Sequence, residues 1–294
     1  MSGAAFNKEA LKRLKYWITE RERCRVNKEN GCPAPWTKDP IISKYRFCNV
    51  RRNDDRVTRW VHENWLHPCG GDPDLWFAMA VARLVNWPGT LAMLAPAVFS
   101  RSTVKWNAGI FVREMHRRKA AGEKVFSGAY IVSTNGHKMD KAEYLAAKVL
   151  SPLWDARKAL RPVAGDTLGE FCERLIHFDG MGSFMAAQVV ADIKYDKQGA
   201  LWDCADWHSW AAPGPGSLRG LLRLLNGDCD PETLRISEKQ WRIDFSDLWR
   251  QANGWLKDGI TGQDLQNCLC EFDKFERVRL GQGTPRALYK SHGG

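Results

Sequence analysis

The chain has 294 residues, 44% of them hydrophobic, which bounds it to one large domain or two smaller ones with a sizeable core. A formal net charge of +10 points to a polyanionic partner, most simply nucleic acid, beside the plainer reading of a generally basic protein. No apolar run approaches the ~20 residues of a membrane span, and residues 1–22 are charged throughout, unlike a signal peptide.

Residues 7–23 read as a basic amphipathic helix with Leu11, Leu14, Trp17 and Ile18 on one side and Lys8, Lys12, Arg13, Lys15, Arg21 and Arg23 around the remainder. Pro33, Pro35 and Pro40 mark an irregular loop after it. In the stretch from Lys44 to Trp60, Asp54 or Asp55 can cap a helix whose buried face is Val57, Trp60, Val61 and Trp65. Five arginines, Arg46, Arg51, Arg52, Arg56 and Arg59, crowd that helix start. Arginine suits bidentate phosphate recognition; the alternative is a solvated charged turn.

Asp72-Pro73 opens a helix over about 74–86 that is apolar nearly all round, the expected central buried helix, and Asn86-Trp87-Pro88-Gly89 stops it. Thr90 is expected to cap the next helix, and a further helix over about 104–120 ends in Arg113, Arg117, Arg118 and Lys119. The run from Val125 to Ser133 is the one β-like segment, with Asn135-Gly136 as its turn. A long helical stretch from Lys141 to Leu160 follows, interrupted by Pro152.

Two helix patterns then meet with almost nothing between them. The first starts at the capping box Thr167-Leu168-Gly169-Glu170 and carries Leu168, Phe171 and Leu175 on one face. The second carries Phe184, Ala187, Val190 and Ala191, with Gly180 and Gly182 permitting the tight turn. After this hairpin comes an acidic-aromatic loop, Asp203 to Trp210, and then Pro213-Gly214-Pro215-Gly216 leading into a short helix capped by Ser217. Two helices close the chain: one from the Ser237-Glu238-Lys239-Gln240 box with Trp241, Phe245 and Trp249, the other over about 262–278 with Leu265, Leu269, Phe272 and Phe275. Helix dominates.

Nine cysteines, an odd number in a chain too large to need stapling, read as reduced thiols of a cytoplasm. No C-x₂-C occurs, and Cys268-x-Cys270 and His67-x-Cys69 are poor ligand spacings, so no structural metal is expected; no cofactor is expected either.

The apolar-x-Gly-apolar-Gly-x-x-x-Ala hairpin of Phe178 to Ala186 resembles the helix-hairpin-helix of DNA-binding proteins, beside the plainer reading of an ordinary αα-hairpin. The resemblance implies that Gly180, Met181, Gly182 and Ser183 present backbone N–H groups to a DNA phosphate. A carboxylate about twenty residues beyond the second glycine, as Asp203 and Asp206 are, is similar to the helix-hairpin-helix DNA glycosylases, where it serves an everted base. The chain departs from them in lacking iron–sulfur cysteines, in carrying Phe184 where bifunctional members carry lysine, and in its acidic-aromatic loop.

Three further segments, Tyr45 to Trp60, Val81 to Pro88 and Pro213 to Leu221, resemble a narrower, phage-associated family over about residues 40–280. It is the amino acid:DNA transferases, catalogued as the second clade of α-glutamyl/putrescinyl thymine pyrophosphorylases. Membership implies an all-α, DNA-glycosylase-like fold with at most a small β-hairpin near 125–133. It implies a basic N-terminal helix and loop over 1–40 and a catalytic domain over 41–294, divisible into lobes at 165/166. The implied partners are double-stranded DNA carrying phosphorylated 5-hydroxymethyluracil and a free amino acid, glycine, whose amine replaces the phosphoryl group in the cytoplasm of a bacterial host. The sister family, 5-hydroxymethyluracil DNA kinase, joins a similar helical domain to a P-loop kinase, and no G-x₄-G-K-[ST] occurs in this chain.

Such a displacement needs cations at the leaving oxygen. Arg51, Arg52 and Arg56 are the first candidates, and the Gly214–Ser217 helix start with Arg219 the second. The attacking amine must be neutral, which asks for a general base: Asp206 first, then His208 and Asp203, either aspartate reading equally as a buried cap. Arg46 or Arg219 can hold the amino acid's carboxylate. Cys48 can add to the uracil ring, although a small buried cysteine is the commoner outcome. Asn49 and Asn86 can read the uracil edge or serve turns and caps. Of the fourteen tryptophans, Trp207 and Trp210 are best placed to stack on an extruded base. A DNA glycosylase for a modified pyrimidine and a non-catalytic DNA-binding module are the competing readings.

Overall fold

The computed structural model describes residues 4–128, 132–285 and 288. It divides into two compact units, Met1–Asp55 with Pro213–Gly294, and Arg56–Ala212. The boundary expected at residue 40 falls inside the first unit, because the N-terminal helix contributes core to it. Among the described residues helix dominates, and β-structure is confined to one antiparallel pair, Phe99–Ser100 with Thr103–Val104, and a single bridge between Tyr45 and Leu288. That pair lies upstream of the β-like run at 125–133, of which Val125–Gly128 is irregular and 129–131 fall outside the described residues.

The second unit is built on the helix Leu75–Val85, whose eleven residues are all buried, as its unbroken apolar sequence requires. Asn86 ends it in the left-handed region (φ 50°). Thr90 is not the cap of the following helix, Pro88–Val98, which begins at Pro88; its hydroxyl instead donates to the Val125 carbonyl (2.8 Å). Asn107 caps Ala108–Ala120. Helical turns fill 141–160 almost without break, with a π-helical segment Leu145–Leu150 ahead of Pro152. Against the central helix packs Gly182–Ile193, itself packed on Leu168–Ile176.

In the first unit the helix Lys8–Glu29 is capped by Asn7 and runs six residues past its expected end. Leu14, Trp17 and Ile18 are buried, and so is Arg21, expected on the solvated side. Arg21 donates to the carbonyls of Phe47 (3.3 Å) and Cys48 (3.1 Å) and to Asn49 Oδ1 (2.8 Å), so it orders the 45–50 segment. The helices Pro215–Asn226 and Gly262–Arg279 meet through Gly216 and Gly220. A Cβ at 216 would lie 3.0 Å from Cys270 Sγ, and one at 220 would overlap the Leu269 carbonyl. Around this contact the buried carboxylates Asp273 and Glu276 are held by Arg219 and Arg223 (both 2.9 Å) and by Arg13 (3.0 Å) and Arg279 (2.8 Å).

Gly220→Ala should therefore destabilise the protein by about 1–3 kcal/mol, the usual cost of overpacking. Gly254→Ala, with open space around its Cβ, should change urea unfolding little.

Candidate nucleic-acid interface and buried polar network

The glycine turn is fixed by sterics. Gly180 adopts φ +75° and Gly182 φ +45°. A Cβ on Gly180 would lie 2.5 Å from Val149 Cγ2, so only glycine lets the turn lie on the 145–150 segment. Met181 is buried and anchors the turn, while Gly182 and Ser183 are exposed at the start of a twelve-residue helix without a side-chain cap. Orphan amides at a helix start attract anions.

The other helix of the hairpin begins in the opposite condition. Thr167 Oγ1 accepts from the Glu170 amide (3.1 Å), and Glu170 Oε2 accepts from the Thr167 amide (2.8 Å). Asp206 accepts from the amides of Leu168 (2.7 Å) and Gly169 (3.0 Å), and Cys204 Sγ donates to it (3.4 Å). Asp206 is thus a helix cap supplied from across the unit. It sits at the far end of Leu168–Ile176 from the glycine turn, about 13 Å of helix away.

In the 201–210 loop, Asp203 is exposed in the left-handed region (φ 57°). His208 is exposed with its ring centroid 4.6 Å from that of Trp207. Trp207 is clamped: its Nε1 donates to the Lys194 carbonyl (2.8 Å), and buried Lys194 Nζ donates to the Trp207 carbonyl (3.0 Å) from over its ring. Trp210 packs on Gly169. The indole left at the surface is Trp202, 41% exposed, which the sequence reading passed over.

Beneath this loop lies a buried network that the sequence reading also missed. Arg83 and Asp192 form a two-pronged ion pair, with Nη2 donating to Oδ1 (2.6 Å) and Nε to Oδ2, their side chains 1% and 0% exposed. Arg83 also donates to Thr58 Oγ1 (3.0 Å) and Asn86 Oδ1 (3.2 Å). Asn86 Nδ2 donates to Ser127 Oγ (3.1 Å), so both ends of that amide are engaged. His62, first residue of a π-helical turn His62–Leu66, places Nε2 3.4 Å from Asp192 Oδ1 and its ring 5.4 Å from Tyr195. A lone arginine inside an apolar helix was the available signal. Arg56 belongs to this unit and is exposed.

The first unit holds the remaining candidates. Arg46 is exposed and makes no hydrogen bond or ion pair among the described residues. Arg51 donates to Glu22 (2.8 Å) and to the Gly259 carbonyl (3.3 Å). Burial opposes the charge on Glu22, but Arg25 and Arg51 outweigh it and hold its carboxyl below the usual range. The Arg52 amide donates to Asp264 (2.8 Å). Asn49 accepts from Arg21 and donates to the Asp54 carbonyl (2.8 Å), so its side chain organises the backbone. Cys48 is exposed. Desolvation by its neighbours and then the adjacent Glu271 carboxylate push its thiol up to about 12. Ser217 is not the cap but the third residue of its helix, buried, accepting from the Gly214 amide (3.0 Å). Arg219 is spent on Asp273. Among the described residues no three His, Cys, Asp or Glu side chains are placed to share a metal ion, and no helix is long and apolar enough to cross a membrane.

A family model described as 5-hmdU DNA kinase, helical domain, matches residues 8–284. The 5-hmdU DNA kinase of Bacillus phage SP10 is 26% identical over 213 residues, covering 65% of this chain and 32% of its own length. The chain therefore spans about a third of that relative. No solved structure matches.

Asp206→Ala should lower stability by about 0.5–2 kcal/mol, as loss of a helix cap does; unchanged urea unfolding would contradict the capping role. Because its thiol is raised, Cys48 stays protonated at neutral pH and gains thiolate only toward pH 12. Peptide mass spectrometry after iodoacetamide at pH 8 should find Cys48 alkylated at least tenfold more slowly than free cysteine.

Proposed function

The chain belongs to the family of the helical domain of 5-hmdU DNA kinase, and on that premise we propose that it is an amino acid:DNA transferase of phage thymidine hypermodification. Its substrate is DNA carrying phosphorylated 5-hydroxymethyluracil, and the amine of a free amino acid, glycine first, displaces the (pyro)phosphate. The observation that carries this reading is a helical-domain match over residues 8–284 that runs through both units. What these residues offer is the chemistry of the helical domain on the modified base.

In the reaction the amine nitrogen bonds to the exocyclic carbon, the carbon–oxygen bond breaks, and the phosphate leaves with the electron pair. The amine proton passes to a base. The exposed amides of Gly182 and Ser183 hold a backbone phosphate in a helix-hairpin-helix manner. An everted base is served from the 201–210 loop. There His208 is the better proton acceptor, since the oxygens of Asp206 already receive two amides and a thiol. Arg56, in the same unit as that loop, is the exposed cation for the leaving anion.

Incubation with phosphorylated 5-hydroxymethyluracil DNA and an amino acid panel, followed by digestion to nucleosides and mass spectrometry, should yield an amine-bearing thymidine and free (pyro)phosphate. His208→Ala should slow formation roughly 10²-fold or more, the usual share of a general base. An abasic site in place of the adduct would establish the glycosylase reading. DNA binding with no product at all would leave a binding module.

A further inference from the structure

We propose that Trp202, with Lys197 beside it, is the platform on which the second unit stacks an unpaired nucleobase of DNA. This rests on the reading of DNA as the substrate, though not on the transfer reaction, and names a contact for the base that the 201–210 loop serves. Scattered apolar residues on a surface are ordinary, but this indole is displayed differently. It is 41% exposed and follows Leu201, which is buried, in a turn where its own amide donates to the Gly199 carbonyl (3.2 Å). Its ring centroid lies 5.7 Å from that of Trp207 in an edge contact.

Trp207 makes that support rigid. Besides its two hydrogen bonds with Lys194, it meets Tyr195 edge-on (5.4 Å) and carries Lys194 Nζ 4.2 Å from its ring centroid. Three aromatic rings thus run from Tyr195 through Trp207 to the exposed Trp202, all within the second unit. A stacking surface that is already held in place binds without the entropic cost of ordering it.

Charge decides which partner fits. Lys197 is exposed, holds Nζ 5.9 Å from the Trp202 ring centroid, and makes no hydrogen bond or ion pair among the described residues. A cation beside an exposed indole matches a nucleotide, whose base offers a π face and whose phosphate offers the charge. It matches an apolar protein surface poorly, since the ammonium would be buried there unpaired. Asp203, the exposed carboxylate next in the chain, opposes a second phosphate. The surface therefore takes one base with one phosphate, and a base stacked inside a duplex has no free face to give it.

The test measures fluorescence anisotropy of labelled DNA with the full chain: a short oligothymidylate, an abasic chain of the same length, a perfect duplex and a duplex with one bulged thymidine. Oligothymidylate should bind about 5- to 150-fold tighter than the abasic chain, the usual share of one stacked base. Trp202→Ala should erase that margin with unchanged melting, and Trp202→Phe, which keeps a ring, should restore most of it; Trp202→Gln serves if the alanine variant does not fold. Lys197→Ala should flatten the log–log salt dependence by about 0.7, the value of one phosphate on a single strand. A Trp202-dependent gain of the bulged over the perfect duplex assigns the platform to everted bases, and a gain confined to oligothymidylate assigns it to free strands. No margin over the abasic chain, or the same margin in Trp202→Ala, overturns the proposal, as does Trp202-dependent self-association in place of the margin. A Trp202-dependent margin without any amine-bearing thymidine keeps the platform and sinks the transferase. Product formed by Trp202→Ala at the parental rate and with parental DNA affinity does the reverse.

Discussion

The second unit depends on one buried ion pair. Arg83 stands on the central helix and Asp192 near the end of the hairpin's second helix, 109 residues later. Withdrawing two charges from water costs several kcal/mol per ion, repaid only when geometry is good and remaining donors are satisfied. Here the fork is two-pronged, Thr58 and Asn86 take further guanidinium donors, and His62 stands beside the carboxylate. Sliding either helix by one residue would break all of these at once. The pair therefore sets the register of the hairpin on the central helix, and with it the position of everything after Ile193: Lys194, Asp196 and the aromatic loop.

The first unit solves the same problem differently. Two glycines on one face of Pro215–Asn226 let its backbone approach Gly262–Arg279, and arginines surround the carboxylates left inside. Much of the basic composition is consumed this way. Arg13, Arg51, Arg219, Arg223 and Arg279 are all bound to carboxylates of their own unit. Net charge describes how the protein meets a polyanion from afar, whereas individual arginines must be counted after their internal partners are known. On that count Arg46 and Arg56 keep their cations available at the surface, while Arg51 and Arg219 have become structural.

What the sequence made legible was local. The Thr167–Glu170 capping box, the all-apolar central helix and the glycine turn each rest on residues within a few positions of one another. Their geometry is as expected, down to the left-handed glycines. Long-range roles were hidden. Asp206 stood out by its spacing from Gly182, yet its partners are amides 38 and 37 residues upstream, and no local pattern announces such a cap. Ser217 likewise resembled a cap from its neighbours, but the helix starts at Pro215 and turns the hydroxyl back on Gly214. Trp76 lies in the apolar helix expected to be buried, and only its neighbours in space reveal an indole N–H without a partner among the described residues. The chain's membership in the family of the 5-hmdU DNA kinase helical domain says nothing of individual roles, which are fixed by contacts across the fold.

The claim that the Arg83–Asp192 pair fixes the hairpin on the central helix is tested most directly by a double-mutant cycle in urea unfolding with Arg83→Met, Asp192→Leu and both together. Each single change strands a buried charge and should cost about 3–5 kcal/mol, while the double variant should lose far less than their sum. Single variants as stable as the parent, or losses that simply add, would contradict it.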